Sequence, residues 1–333
     1  MAWTIYQSTD GSAPVLTGVS GSLITVLDAV LVNGYGSKPA AGWTHPFAGS
    51  STKQVYLSGG SASMYYRVDD TGGLAQGGRE AGLRGYGSMS DVDTGTDPFP
   101  SVAQKADGCQ IYKSENASAT AVPWLIAADN RTMIFFAWLA GVGRWQPEYI
   151  GEIESFKSGD THNAVIIAAP AGTASEGYQY NFLTDLGETI ANTVIAKGKY
   201  IARLYTGAAG SVEGMTMAAS VLNKPITIPP NACGFGWLGQ YNPADGGVYM
   251  GDILFCYPKV SYTTFIIHGK LRGIFPMYHS YLSGWNDGDQ FAGIRGYAGH
   301  SYRVMKLLRY RLGATSTVTG VVFMGLEISN TVA

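Results

Sequence analysis

Charge is scarce in this 333-residue chain. Asp, Glu, Lys and Arg make up 14% of it and the formal net charge is −2, against roughly a quarter charged residues in an average domain. No basic run occurs, so the phosphate-neutralising footprint of a nucleic-acid binder is missing and direct nucleic-acid contact is not expected. Cysteine is also scarce. Cys109, Cys233 and Cys256 are widely spaced with no CxxC pair, which argues against a zinc or redox centre and predicts buried small hydrophobes. The five histidines, at 45, 162, 268, 279 and 300, include no pair at metal-ligand spacing. No run of about 18 apolar residues exists, and Met1-Ala2-Trp3-Thr4-Ile5 lacks a basic segment leading into an apolar one. No membrane insertion and no secretory leader are therefore expected, and the chain is expected to be made in the cytoplasm.

Catalytic and cofactor motifs are missing too. There is no GxSxG elbow and no Walker A segment. Residues 234–239 match GxGxxG, but Pro229-Pro230 precede them and Asn242-Pro243 follow them, leaving no helix N-terminus to meet a pyrophosphate. The segment reads as a Gly-aromatic turn, and no cofactor is expected.

What the chain has in abundance is glycine and aromatic residues: 45 Gly, 21 Tyr, 12 Phe and 7 Trp, in a sequence that is 46% hydrophobic. Short apolar or alternating runs such as Met64-Tyr65-Tyr66-Arg67-Val68 and Thr132-Met133-Ile134-Phe135-Phe136-Ala137-Trp138 are cut by turns such as Asp70-Thr71-Gly72-Gly73 and Asp245-Gly246-Gly247. This pattern predicts a mainly β fold, sandwich or barrel-like, with one or two short helices. The clearest helix covers residues 22–33, with Ser22 near its start and Asn33-Gly34 at its end, although its β-branched content suits a strand as well; a weaker one is expected over 211–222. The polar stretch Lys113-Ser114-Glu115-Asn116-Ala117-Ser118 offers nothing to a core, which places a domain boundary near 120. The expected division is an N-terminal β domain, 1–120, and a C-terminal β region, 121–333. Phe136-Ala137-Trp138-Leu139 is echoed by Phe235-Gly236-Trp237-Leu238, and Tyr149-Ile150-Gly151-Glu152-Ile153 by Tyr249-Met250-Gly251-Asp252-Ile253. A duplication dividing the second region into about 121–222 and 223–333 would explain these echoes, and so would chance in an aromatic- and Gly-rich chain.

Few residues qualify as candidate sites. Asp91, Asp93 and Asp97 alternate in one loop, and hard oxygen ligands so placed suit Ca²⁺, but the EF-hand glycine and glutamate positions are not matched and an Asx-capped turn is preferred. Asp69-Asp70 and Asp287 with Asp289 also read as turns. A glycoside-cleaving acid pair such as Glu152 with Asp160 is a matter for the fold, because sequence spacing does not fix its geometry. Core is the default for at least half of the aromatics; the remainder suit a glycan or protein interface.

Three blocks near the start, GWTHPFAG at 42–49, YYRVDDTG at 65–72 and RGYGSMSDVDTGTDPFP at 84–100, together resemble the N-terminal third of a family of tailed-bacteriophage and prophage virion structural proteins. GKLRGIFPMYH at 269–279, followed by DGDQF at 287–291, is similar to its closing segment. The resemblance covers the ends better than residues 100–240 and brings no catalytic motif. It implies a non-enzymatic subunit of the virion, assembled with copies of itself and with neighbouring virion proteins, and leaves tail, neck and capsid surface open. The tail or neck is the expected place because a chain of two β domains resembles the modular sandwiches of tail adaptors and tips. The low charge also suits a subunit held in a permanent assembly, although it equally describes a low-charge monomer. The alternatives are a receptor- or glycan-binding tail-tip module with a host-surface glycan as partner, a capsid decoration protein and, last, a polysaccharide-degrading tail enzyme.

Overall fold

The computed structural model describes residues 3–72, 80–102, 108–141 and 143–170 and, farther on, 200–202, 216–218, 249–250, 254–259, 264–278, 285–292, 299–308 and 321–330. It is mainly β, with several sheets, no closed barrel and one short helix among these residues.

Two layers form the body. The smaller sheet is antiparallel and contains, in spatial order, β13 (Ala169–Pro170), β7 (Cys109–Tyr112), β4 (Glu80–Tyr86), β3 (Tyr65–Asp69) and β2 (Lys53–Leu57). Alternation sends Tyr56, Tyr66, Val68, Ala81, Leu83, Cys109 and Ile111 to its inner face. That face meets β1 (Thr4–Gln7), β8 (Trp124–Ala128), β9 (Thr132–Leu139), β10 (Arg144–Glu152) and β12 (Ala164–Ile167) of the larger sheet, which contribute Tyr6, Trp124, Ile126, Phe135, Ile150 and Ile166 to the same core. Hydrogen bonds also cross between the layers, as where the Tyr112 N–H donates to Glu148 Oε1 at 3.1 Å.

The second edge of β10 is divided. Tyr149 to Glu152 pair with β12, while Trp145 meets Leu307 of β21 (His300–Leu308). From there the sheet continues through β22 (Val321–Asn330), β19 (Ile274–Tyr278) and β16 (Tyr249–Met250); β14 (Tyr200–Ala202) extends β12, and β20 (Gln290–Ala292) pairs with β21. This branch covers the back of the larger sheet. Ile274, Met305, Leu307 and Leu326 pack on Leu125, Ile134, Phe136, Tyr149 and Ile167, so the central strands are buried on both faces and read as near-continuous apolar runs. A separate sheet orders β11 (Glu154–Ser155), β18 (Thr264–Lys270), β17 (Leu254–Lys259) and β15 (Thr216–Ala218).

The helix expected over 22–33 is present as α1 (Ser22–Leu27) running into a π-helical stretch (Asp28–Asn33). At this length its stability comes from packing, supplied by the burial of Leu23, Ile24, Val26, Leu27, Val30 and Leu31. Gly34 ends it at φ 75°, in the left-handed region that favours glycine. No side chain within the helix caps its start: Ser22 donates to the Thr17 carbonyl, and the N–H of Leu23 goes to Asp70 Oδ2 at 3.0 Å. Within the weaker helix expected at 211–222, the described residues 216–218 form strand β15, where Met217 pairs with Phe255. Its apolar cluster suits either period, and pairing with β17 selects the strand.

The boundary drawn at 120 crosses a shared core. β1 pairs with β8 from Thr4↔Ala128 to Gln7↔Leu125, and Val122 N–H donates to the Leu16 carbonyl. One apolar cluster runs from Tyr6 to Ala168. Of the internal echoes, residues 235–238 and 251–253 lie outside the described residues.

The edge of the smaller sheet at β2 is covered. Thr44 exchanges both backbone bonds with Leu57, and Ser50 does so with Lys53. No helix among the described residues is long and apolar enough to cross a membrane.

Candidate functional site

The densest polar constellation lies behind the β8–β9 turn. Asp129 Oδ1 accepts the N–H groups of Arg131 and Thr132, both at 2.9 Å, which shapes the turn. Arg272, from the segment between β18 and β19, reaches the same carboxylate with both terminal nitrogens and donates to Thr132 Oγ1 at 2.7 Å. Thr132 and Tyr149 in turn donate to the Glu152 carbonyl, Tyr149 Oη accepts the Arg272 N–H, and Trp43 Nε1 donates to the Asp129 carbonyl. Burial works to raise the Asp129 carboxyl, but the bonds and charge of Arg272 outweigh it and hold the group below its usual range. Arg272 also lies 5.3 Å from the Trp3 ring centroid, a cation–π distance. These groups are committed to one another, which makes the cluster a clamp joining the β8–β9 turn and β10 to the segment that leads into β19.

The suspected acid pair is divided between two other clusters. Glu152 Oε1 accepts Ala62 N–H at 2.6 Å and Ser61 Oγ at 3.3 Å, holding the β2–β3 connection. Asp160 accepts from Ser155 Oγ and from the His162 N–H, and its Oδ2 meets His268 Nε2. Ser155 of β11, Asp160 of the loop that follows it and His268 of β18 thus come together, yet the hydroxyl bonds to the carboxylate and not to the imidazole. No base is aimed at Ser155 in the way a triad requires.

Asp91, Asp93 and Asp97 fall on a hairpin of β5 (Ser88–Asp91) and β6 (Thr94–Thr96). It packs on the outer face of the smaller sheet, with Met89 and Val92 against Val55, Tyr65 and Tyr86. Asp93 is taken by Arg67 at 2.7 Å and Lys53 at 3.2 Å, and Asp91 caps the N–H of Val92. The three carboxylates therefore do not converge, and no group of three or more His, Cys, Asp or Glu among the described residues is arranged to hold a metal ion. Asp287 does more than shape a turn. It accepts Trp145 Nε1 at 2.9 Å and Lys306 N–H at 2.8 Å, joining β10 to β21.

Several functional-looking groups had no sequence handle. Lys113, in the stretch read as offering nothing to a core, is fully buried and bonds Asp70. Three histidines face carboxylates distant in sequence: His45 with Asp28, His268 with Asp160 and His300 with Glu327. The GxGxxG segment at 234–239 lies outside the described residues. A cleft of about 350 Å³ opens where β1 approaches the C-terminal branch, lined by Trp3, Thr4, Ile5, Gln7, Lys38, Gln290, Arg303 and Ile328.

No protein-family model matches the chain, and no curated protein is significantly similar to it.

Proposed function

We propose that the chain is a structural subunit of a tailed-phage virion, placed in the tail or neck and held among copies of itself and neighbouring virion proteins. The observation that carries this reading is where the three N-terminal phage-like blocks fall. Trp43 of the first packs on Tyr66 of the second at 5.5 Å between ring centroids, and Tyr66 packs on Phe99 of the third at 6.1 Å. The resemblance therefore lies on residues that build a body, as expected of an architectural protein. A low content of charged residues and buried ion pairs between segments distant in sequence support the same reading.

Mass spectrometry of purified particles, with immunogold labelling to locate the protein, tests it. The chain should copurify with virions in stoichiometric amounts and label at the tail or neck. Absence from washed particles overturns the proposal, and labelling over the whole head reassigns the subunit to the capsid surface.

A further inference from the structure

We infer that the cleft between β1 and the C-terminal branch binds a small hydroxylated carboxylate, the chemistry of an acidic monosaccharide unit such as a hexuronate. The charges that line it set the sign of the ligand. Its wall carries two cations, Lys38 and Arg303, and no acid. The carboxylate nearest Lys38 is Asp10, at 3.7 Å, and Asp10 Oδ2 already accepts the N–H of Gln7 and the hydroxyl of Tyr35, both at 2.9 Å. Lys38 gives one donor to the Ile5 carbonyl at 2.8 Å and pairs with Asp10, which leaves one of its three donors for an incoming acceptor.

Arg303 is held from one end. Its Nη1 donates to Gln7 Oε1 at 3.1 Å, bridging β21 to β1, while Nε has no acceptor among the described residues. Arg303 forms no ion pair among the described residues. A guanidinium fixed in this way and lacking a carboxylate partner is a ready-made recognition group for a planar anion.

The rest of the lining selects against a bare ion. Gln7, Gln290 and Thr4 can both donate and accept, which suits hydroxyl groups, and Trp3, Ile5 and Ile328 supply apolar wall. Trp3 is fixed in place, since Gly273 approaches so closely that a Cβ there would lie 2.5 Å from the indole. A volume of about 350 Å³ is at the small end of ligand sites, right for a single sugar ring. This inference does not depend on the virion reading, because it concerns a ligand and not an assembly.

Calorimetric titration of the full chain with sodium glucuronate, with glucose and inorganic phosphate as comparators, tests it. Glucuronate should saturate one site, with glucose and phosphate each about tenfold weaker or more. Arg303→Gln should lower glucuronate affinity about tenfold with its melting midpoint retained. If that variant fails to fold through loss of the Gln7 bond, Gln290→Ala decides, since Gln290 is exposed: a severalfold loss upholds the site and unchanged affinity overturns it. No saturation by glucuronate overturns the inference, and so does phosphate binding as tightly, which would reduce the cleft to a simple anion hole.

Discussion

The carboxylate of Asp70 and the ammonium of Lys113 form an ion pair in which neither side chain has any solvent exposure. Asp70 also accepts the N–H of Leu23, and Lys113 donates to the Val19 carbonyl at 2.7 Å, so the pair fastens the start of α1 to the ends of β3 and β7. Breaking a buried pair leaves one charge uncompensated, whereas replacing both members with apolar groups removes the desolvation cost together with the attraction. Lys113→Met and Asp70→Asn should each destabilise by about 3–5 kcal/mol. The double variant Asp70→Leu/Lys113→Met should recover a large part of that loss. Urea denaturation of all three variants checks this, and additive losses would count against it.

Glu148 lies wholly buried on the core-facing side of β10. Burial pushes its carboxyl well above the usual carboxylate range, against a smaller opposing pull from the Tyr112 N–H and Gln146. A carboxyl raised on folding contributes stability that is complete below its unfolded value of about 4.3 and is lost as pH rises through the folded value. Glu148→Gln keeps an acceptor for Tyr112 without the titration. Its melting midpoint should exceed the wild type's at pH 8 by more than at pH 5, and equal offsets at the two values would refute this.

Asp129 shows the opposite sign. Its folded value is depressed by Arg272, so its contribution is present above the unfolded value of about 3.9 and lost as pH falls through the folded one. Asp129→Asn should cost about 3–5 kcal/mol near neutrality, because the Arg272 charge is left buried and unpaired. The gap to wild type should narrow in acid. Denaturant midpoints measured from pH 7 down to pH 3 test both parts, and a gap independent of pH would show that the ion pair is not its source.

Gly85 lies under the ring of Phe99. A Cβ there would sit 2.1 Å from the ring's Cζ, and the two residues also exchange both backbone bonds. Gly85→Ala should therefore destabilise by about 1–3 kcal/mol through overpacking. Phe99→Leu in the same chain should relieve part of that effect. A thermodynamic cycle of the two substitutions measures the coupling, and zero coupling would disprove the contact.

Much of the architecture was legible because it is local. The mainly β pattern followed from short alternating runs and Gly-rich turns, and the helix at 22–33 from its apolar face and the Asn33-Gly34 stop. The strand at 216–218 was read as helix because a short apolar cluster fits both periods until a partner strand is known. Lys113 was misplaced for a related reason: it stands in a polar stretch, and what brings it inside is Asp70, 43 residues away. The Asp129–Arg272 clamp spans 143 residues and has no local pattern at all. The carboxylates that did stand out, Asp91, Asp93 and Asp97, drew notice through sequence proximity, but a hairpin turns neighbours to different faces and hands Asp93 to Lys53 and Arg67.

The covered edge at β2 bears on crowding. An exposed strand edge is a template for the next chain, and the hazard grows with local concentration. Thr44 and Ser50 occupy backbone positions of β2 that an intruding strand would need. At Lys53 and Leu57 the backbone of that edge is therefore closed to a further strand, so any contact made there falls to side chains, whose pairing is reversible and depends on their chemistry.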